Sequence, residues 1–223
     1  MTPRAIVTDI EGTTSSLSFV HEVLFPYSRA RLADWVAAHP QEAVSVLDQV
    51  RAEAGDPALD GQGCVQLLLE WHDADRKIGP LKSLQGMIWA EGFAAGDLTG
   101  HVYPDAAEGL RRWHATGIAL YIYSSGSVAA QKLIFGRTEY GDLTPLFSGY
   151  FDTAVGAKRE TAAYRAIAES ICLPPSEVLF LSDVEAELQA AGDAGMAVAL
   201  LARDDIPEHS PFPVHTSFDT ILP

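Results

Sequence analysis

The chain has 223 residues, enough for one sizeable core or for a core with an inserted subdomain. Its formal net charge of −15 argues against a nucleic-acid or anionic-membrane surface, since the long-range field repels both; an anionic substrate then needs a bound cation and a well-placed lysine or arginine. No cationic apolar leader and no membrane-length apolar run is seen, so a cytoplasmic protein is expected, and Cys64 and Cys172 fit neither a disulfide framework nor a zinc knuckle and are expected to be small packed side chains.

The first predicted element is a buried strand over Ala5 to Thr8, β-branched and apolar, that runs into Asp9, Ile10, Glu11, Gly12, Thr13 and Thr14. Residues 15 to 100 then read as mostly helical. Helices are expected over Leu24 to Ala38, over Gln41 to Ala54, around the stripe Val65, Leu68, Leu69 and His72, and from Leu81 to Ala95, with Gly/Pro clusters between them. Trp71, Met87, Trp89 and Phe93 read as core of this bundle, and the ridge from Leu81 to Trp89 with Lys82 is a candidate substrate-facing surface. From His101 strand and helix alternate: a helix over Pro104 to Ala115, a strand Ile118 to Tyr123 ending in Ser124 to Ser127, a helix Val128 to Phe135, and a short segment Tyr150 to Val155. A helix Thr161 to Ile171, a strand Val178 to Leu181 ending in Ser182-Asp183, a helix Glu185 to Ala194 and a strand Ala197 to Leu201 complete the series. The stretch from Arg203 to Pro213 reads as loop. This alternation predicts an α/β fold with a Rossmann-like parallel sheet, helices on both faces, formed by residues 1–14 and 101–223, with residues 15–100 as an inserted helical cap.

In such a sheet every loop after a strand opens on one edge, which gathers Asp9 and Glu11, Ser124 and Ser125, Asp183 with Glu187, and Lys158. Singly, each has a plain reading: the serines cap a helix, Lys158 is solvated, Asp183 is a first-turn acid. Together they do not, because carboxylates at one edge repel by about 4 kcal/mol per close pair at an effective dielectric near 20 unless a cation neutralises them. Hard oxygen donors favour Mg²⁺ over zinc. With Lys158 and the serine hydroxyls it would grip a phosphate, placing Asp9 to attack phosphorus in line.

The order of these elements resembles the haloacid dehalogenase superfamily of phosphotransferases. Asp9 matches the nucleophile of its first motif, Ser124 the phosphate-binding residue of the second, Lys158 the lysine of the third, and Asp183 with Glu187 the acidic pair of the fourth. Glu11 stands where most of its phosphatases have Asp. That departure, with Tyr121-Ile-Tyr-Ser-Ser-Gly-Ser-Val and Ala130-Gln-Lys-Leu-Ile-Phe-Gly, is similar to the enolase-phosphatase E1 family of methionine salvage, although Gly156-Ala157-Lys158 lacks that family's frequent histidine. The resemblance implies an enzyme with one Mg²⁺ that enolises a small phosphorylated diketone, 2,3-diketo-5-methylthiopentyl 1-phosphate, and then hydrolyses the phosphate through an aspartyl-phosphate; nothing in the sequence demands a partner, so a monomer is expected. It implies Asp9, Glu11 and Lys158 as catalytic residues, Ser124, Ser125 and Lys158 on the substrate, and Asp9, Glu11, Asp183 and Glu187 around the metal, with Glu187 either ligating or orienting Lys158. The cap would exclude water and read the methylthio tail. A general phosphatase of the superfamily acting on sugar phosphates or nucleotides is the alternative. A dehalogenase is disfavoured because it needs no metal, and a noncatalytic phospho-acceptor domain because it needs no lid.

Overall fold

The computed structural model describes residues 2–203 and 205–222, and its backbone divides into two compact units, Met1–Leu17 with Thr99–Pro223, and Ser18–Leu98. Strand β1 (Ala5–Thr8) opens the first unit and is buried along its whole length, as its run of apolar and β-branched residues requires.

The unit Ser18–Leu98 is helical. A π-helical turn, Phe19–Leu24, runs directly into α1 (Phe25–Ala38), and α2 (Pro40–Ala54), α3 (Gly61–Asp73) and α4 (Gly79–Ala95) follow. Proline in the first turn starts α1, α2 and α4, where no backbone N–H is needed, and the Asp60 carboxylate caps α3 by accepting the Gly63 N–H at 2.7 Å. Leu32, Trp35, Val46, Val50, Leu68, Trp71, Leu84 and Ile88 pack into one core. Trp89 and Phe93 are buried as expected, and Met87 is half-buried. Leu81, Leu84 and Ile88 of the ridge proposed as a substrate-facing surface are spent inside this core.

The first unit resumes with α5 (Pro104–Ala115), β2 (Ala119–Tyr123), α6 (Val128–Gly136), β3 (Phe147–Phe151), α7 (Thr161–Ser170), β4 (Val178–Ser182), α8 (Glu185–Asp193), β5 (Ala197–Leu201) and β6 (Val214–His215). Among the described residues, six strands form one parallel sheet in the order β3-β2-β1-β4-β5-β6. Alternate strand residues feed two cores: Ile6, Leu120, Ile122, Leu179 and Leu181 lie with Leu110 and Trp113 on one face, while Val7, Tyr123, Val178 and Phe180 lie with Tyr164, Ile167 and Leu188 on the other. Both faces are therefore covered, the arrangement a parallel sheet needs. No helix among the described residues is long and apolar enough to cross a membrane.

Two expectations are corrected. The third strand lies at Phe147–Phe151 instead of Tyr150 to Val155, because Asp152 accepts the Ala154 N–H at 2.9 Å and turns the chain before Val155. The loop expected over Arg203 to Pro213 carries no helix or strand among the described residues, and the two-residue strand β6 follows it, too short to leave a pattern. Cys64 is buried as expected, but Cys172 is exposed in a left-handed conformation (φ 56°) that ends α7, a position usually given to glycine.

Candidate active site

Register positions the site. Thr8 lies level with Ile122 of β2 and with Leu181 of β4, so the next residues, Asp9, Tyr123 and Ser182, form one row at the carboxyl edge, with Ser124 and Asp183 just beyond. The sheet order reverses direction of winding at β1 and β4, and the crevice between their carboxyl ends is where open α/β sheets hold ligands.

Asp9 is 5 % exposed and fixed from two sides. Its Oδ1 accepts the Ile10 N–H at 2.7 Å, and its Oδ2 accepts a proton of Lys158 Nζ at 2.6 Å. Lys158 also donates to Glu187 Oε2 at 2.7 Å, and that same oxygen accepts the Ser182 hydroxyl at 3.0 Å. Glu187 sits in the first turn of α8, from which a side chain points back toward the end of β4. Burial pushes the Lys158 ammonium toward deprotonation, yet Asp9 and Glu187 outweigh it and raise its pKa. An ammonium has three protons, and two are spent here. The third remains for a substrate oxygen.

Two tyrosines hold the Lys158 loop: Tyr123 Oη donates to the Gly156 carbonyl at 3.0 Å and Tyr164 Oη to the Lys158 carbonyl at 2.7 Å. Ser124 is buried, and its Oγ accepts the Gly126 N–H at 3.3 Å, which leaves its proton for an acceptor. Gln131 of α6 secures the same loop by donating to the carbonyls of Gly126 (2.8 Å) and Phe151 (2.9 Å). Ser125 is half-buried beside Ser124, whereas Ser127 caps α6 by accepting the Ala130 N–H. The structure thus brings together Asp9, Lys158 and Glu187 in direct contact, places Ser124, Ser125 and Asp183 at the same edge, and leaves Glu11 half-buried in the turn after Asp9. Ala157 is exposed. In the sequence Tyr123 and Gln131 stand only within the two family-like stretches and Tyr164 only as a helix position, and none of the three is assigned a role there.

Asp183 is the anomaly. Its Oδ1 is buried and, among the described residues, meets no hydrogen-bond partner, and burial with the nearby Asp9 charge pushes its pKa up to about 6. The carboxylate lies directly over Gly12, whose φ of +70° and missing side chain make room for it; a methyl group there would overlap the carboxylate. Glu187 is likewise shifted upward by burial and by Asp9, against the pull of Lys158. Three carboxylates face one lysine, so the site carries excess negative charge that a cation would neutralise. Among the described residues no three His, Cys, Asp or Glu side chains converge as a ready ligand set. Glu187, one of the expected ligands, is turned instead to Lys158 and Ser182. Two carboxylates, Asp9 and Asp183, with water and a nearby carbonyl match the sparse oxygen shell of Mg²⁺.

A linkage effect follows for protein stripped of divalent cations. The folded-state pKa of Asp183 lies above its unfolded value of 3.8, so the folded protein binds that proton more tightly and this contribution to stability grows as pH falls from above 6 toward 4 and is lost as pH rises through 6. Its size is roughly 2–3 kcal/mol at most. Urea unfolding in EDTA at several pH values, compared with Asp183→Asn, is expected to show this difference shrink in the variant.

A family model for haloacid dehalogenase-like hydrolases matches residues 3–195. The enolase-phosphatase E1 of Methylococcus capsulatus is 57% identical over 222 residues, covering 99% of this chain and 98% of the relative, and that of Azotobacter vinelandii is 54% identical, covering 100% and 99%. Among solved structures, the UTR4 protein of Saccharomyces cerevisiae superposes with a TM-score of 0.86 at 34% identity, covering 99% of this chain and 100% of that one. Identity of this depth along the whole length, on a sheet edge that seats an aspartate between a lysine and a strand-end amide, means that the chain belongs to the enolase-phosphatase E1 family of haloacid dehalogenase-like hydrolases.

Proposed function

We propose that this enzyme converts 2,3-diketo-5-methylthiopentyl 1-phosphate to 1,2-dihydroxy-3-keto-5-methylthiopentene and phosphate, by enolisation and then hydrolysis. The observation that carries the reading is the Asp9 carboxylate held between the Ile10 N–H and Lys158 Nζ, with Glu11 following in the same turn. The helical insertion Ser18–Leu98 is the cap subdomain in this reading.

For hydrolysis, Asp9 Oδ2 attacks phosphorus while the bond from phosphorus to the substrate oxygen breaks, and Glu11 as a general acid gives that oxygen its proton. Water then attacks the aspartyl-phosphate, Glu11 takes the water's proton, and Asp9 is released with phosphate. The Ser124 hydroxyl and the third Lys158 proton bind phosphoryl oxygens through both steps. Asp9, Asp183 and the Glu11 carbonyl would hold Mg²⁺, which would supply positive charge to the phosphoryl oxygens. Glu187 keeps Lys158 aimed at Asp9. For enolisation, Glu11 takes the proton from the carbon beside the carbonyl while the carbonyl oxygen gains one from solvent, and in this reading the Ser125 hydroxyl contacts that oxygen.

A time course with Mg²⁺ and the diketo phosphate, reading enediol absorbance and inorganic phosphate together, tests the proposal. Both signals are expected, with absorbance leading or tracking phosphate. Phosphate from simple monoesters with no enediol absorbance would leave a general phosphatase. The Gly12→Ala variant is expected to lose about 100-fold in phosphate release, because the added methyl displaces Asp183 and the turn must leave its left-handed conformation. Its melting temperature and phosphate release, measured together, separate that displacement from unfolding.

A further inference from the structure

Arg203, the second residue after β5, lies outside the four elements of the proposed chemistry, yet its side chain is only 8% exposed. Its Nε and Nη2 both donate to the carbonyl oxygen of Thr13, at 3.0 and 2.7 Å, and its Nη1 donates to Asp105 Oδ2 at 2.7 Å and to the Thr216 carbonyl at 3.3 Å. The guanidinium lies 4.3 Å from the Tyr103 ring centroid, and Asp105 Oδ2 also accepts the Phe218 N–H at 2.8 Å. One planar cation thus ties the turn after Asp9 to the start of α5 and to the C-terminal segment. A fork of donors is needed to do this.

The turn it holds is the one that matters. The N–H groups of Thr13, Thr14 and Ser15 all point to the Ile10 carbonyl, and the Thr14 carbonyl accepts the Tyr103 N–H at 2.9 Å. The Thr13 carbonyl faces away from that ring of bonds, and Arg203 is what receives it with two donors. Glu11 and Gly12 stand between the Ile10 carbonyl, which gathers those N–H groups, and the Thr13 carbonyl, which Arg203 holds, and Gly12 is the shelf under Asp183. We propose that Arg203 is a positioning residue, which locks the Glu11–Gly12 turn in the geometry that catalysis and Mg²⁺ binding require. This rests on the assignment of Glu11 and Asp183 given above.

The Arg203→Lys and Asp105→Asn variants distinguish this from a role in the scaffold alone. Lysine has no planar fork and cannot put two parallel donors on the Thr13 carbonyl while a third group reaches Asp105, whereas asparagine at 105 keeps an acceptor for Phe218 and leaves both Arg203 donors on Thr13. R203K is expected to lose about ten-fold or more in kcat with KM for the diketo phosphate within about two-fold, because Arg203 touches no substrate. The Mg²⁺ concentration giving half of the metal-induced rise in melting temperature is expected to increase about five-fold or more, while D105N melts lower yet keeps kcat within about three-fold. Wild-type kcat in R203K, an unchanged Mg²⁺ midpoint, or a kcat loss in D105N equal to that in R203K overturns the proposal. If R203K does not fold, R203Q, which keeps an amide donor and removes the buried cation, is judged by the same criteria; failure of both to fold overturns the proposal, since Arg203 then holds the domain and not the turn. Absence of phosphate release by the wild-type enzyme would instead remove the reading of the site on which this rests.

Discussion

Asp9→Asn is expected to lower phosphate release by about four orders of magnitude or more while the protein stays folded. The amide is nearly the same shape as the carboxylate, and its oxygen still accepts the Ile10 N–H. What it lacks is the anionic oxygen that attacks phosphorus in the proposed reaction, so the covalent route would close. Enolisation is a separate matter. With Glu11 as the base, the variant retains the group that removes the proton, and the enolised phosphate accumulates in place of the final product. Absorbance of the conjugated enol with no matching inorganic phosphate is therefore the expected record, and loss of both signals would place Asp9 in the proton transfer as well. The amide also turns a donor toward Lys158, where the carboxylate offered an acceptor at 2.6 Å. A mismatch of that kind costs about 1–3 kcal/mol, which a lowered melting temperature would register.

The parts of the fold that could be read from the sequence are those where one interaction dominates. β1 and β4 are continuous apolar runs because both faces of the strand are covered, and each ends abruptly on an acid, so strand and site are legible at the same point. The π-helical turn before α1 left no mark, since its apolar spacing merges with that of the helix it enters. β3 was displaced because Gly149 interrupts its apolar pattern and the pairing with β2 shifts between Leu120 and Tyr121, so no clean alternation exists to read. At the site, charge count pointed to a need for positive charge, which Lys158 meets in part, but not to how the acids divide their partners. Asp183 has a bare buried oxygen and Glu187 does not, and only their surroundings decide it. Arg203 illustrates the deeper limit. Its target is a backbone carbonyl, and any residue at position 13 presents one, so no pairing of residue types could announce the contact.

Lys158→Met is expected to reduce kcat by about three orders of magnitude, and its effect on stability shows why the lysine is buried there. The ammonium lies between two carboxylates that are themselves almost fully buried, and its raised pKa means that folding favours its charged form. Methionine fills similar space and leaves Asp9 and Glu187 facing each other, with Asp183 nearby. Breaking a buried pair in this way costs about 3–5 kcal/mol while the remaining charges stay ionised. Glu187 and Asp183, whose pKa values burial already raises, escape by binding protons. Their folded-state pKa values then exceed the unfolded ones, so the variant regains stability as pH falls through those raised values and loses it as pH rises above them. Adding Glu187→Gln removes one of the stranded charges and keeps an acceptor for the Ser182 hydroxyl, so the double variant is expected to recover most of the stability at neutral pH. It is expected to recover none of the activity, because the donor that the proposed reaction assigns to the phosphoryl oxygens and the cation beside Asp9 are still missing. Urea unfolding and phosphate release measured on the two variants give the decisive comparison: parallel recovery of both would mean that Lys158 only neutralises Glu187, whereas recovery of stability alone assigns the lysine to the reaction.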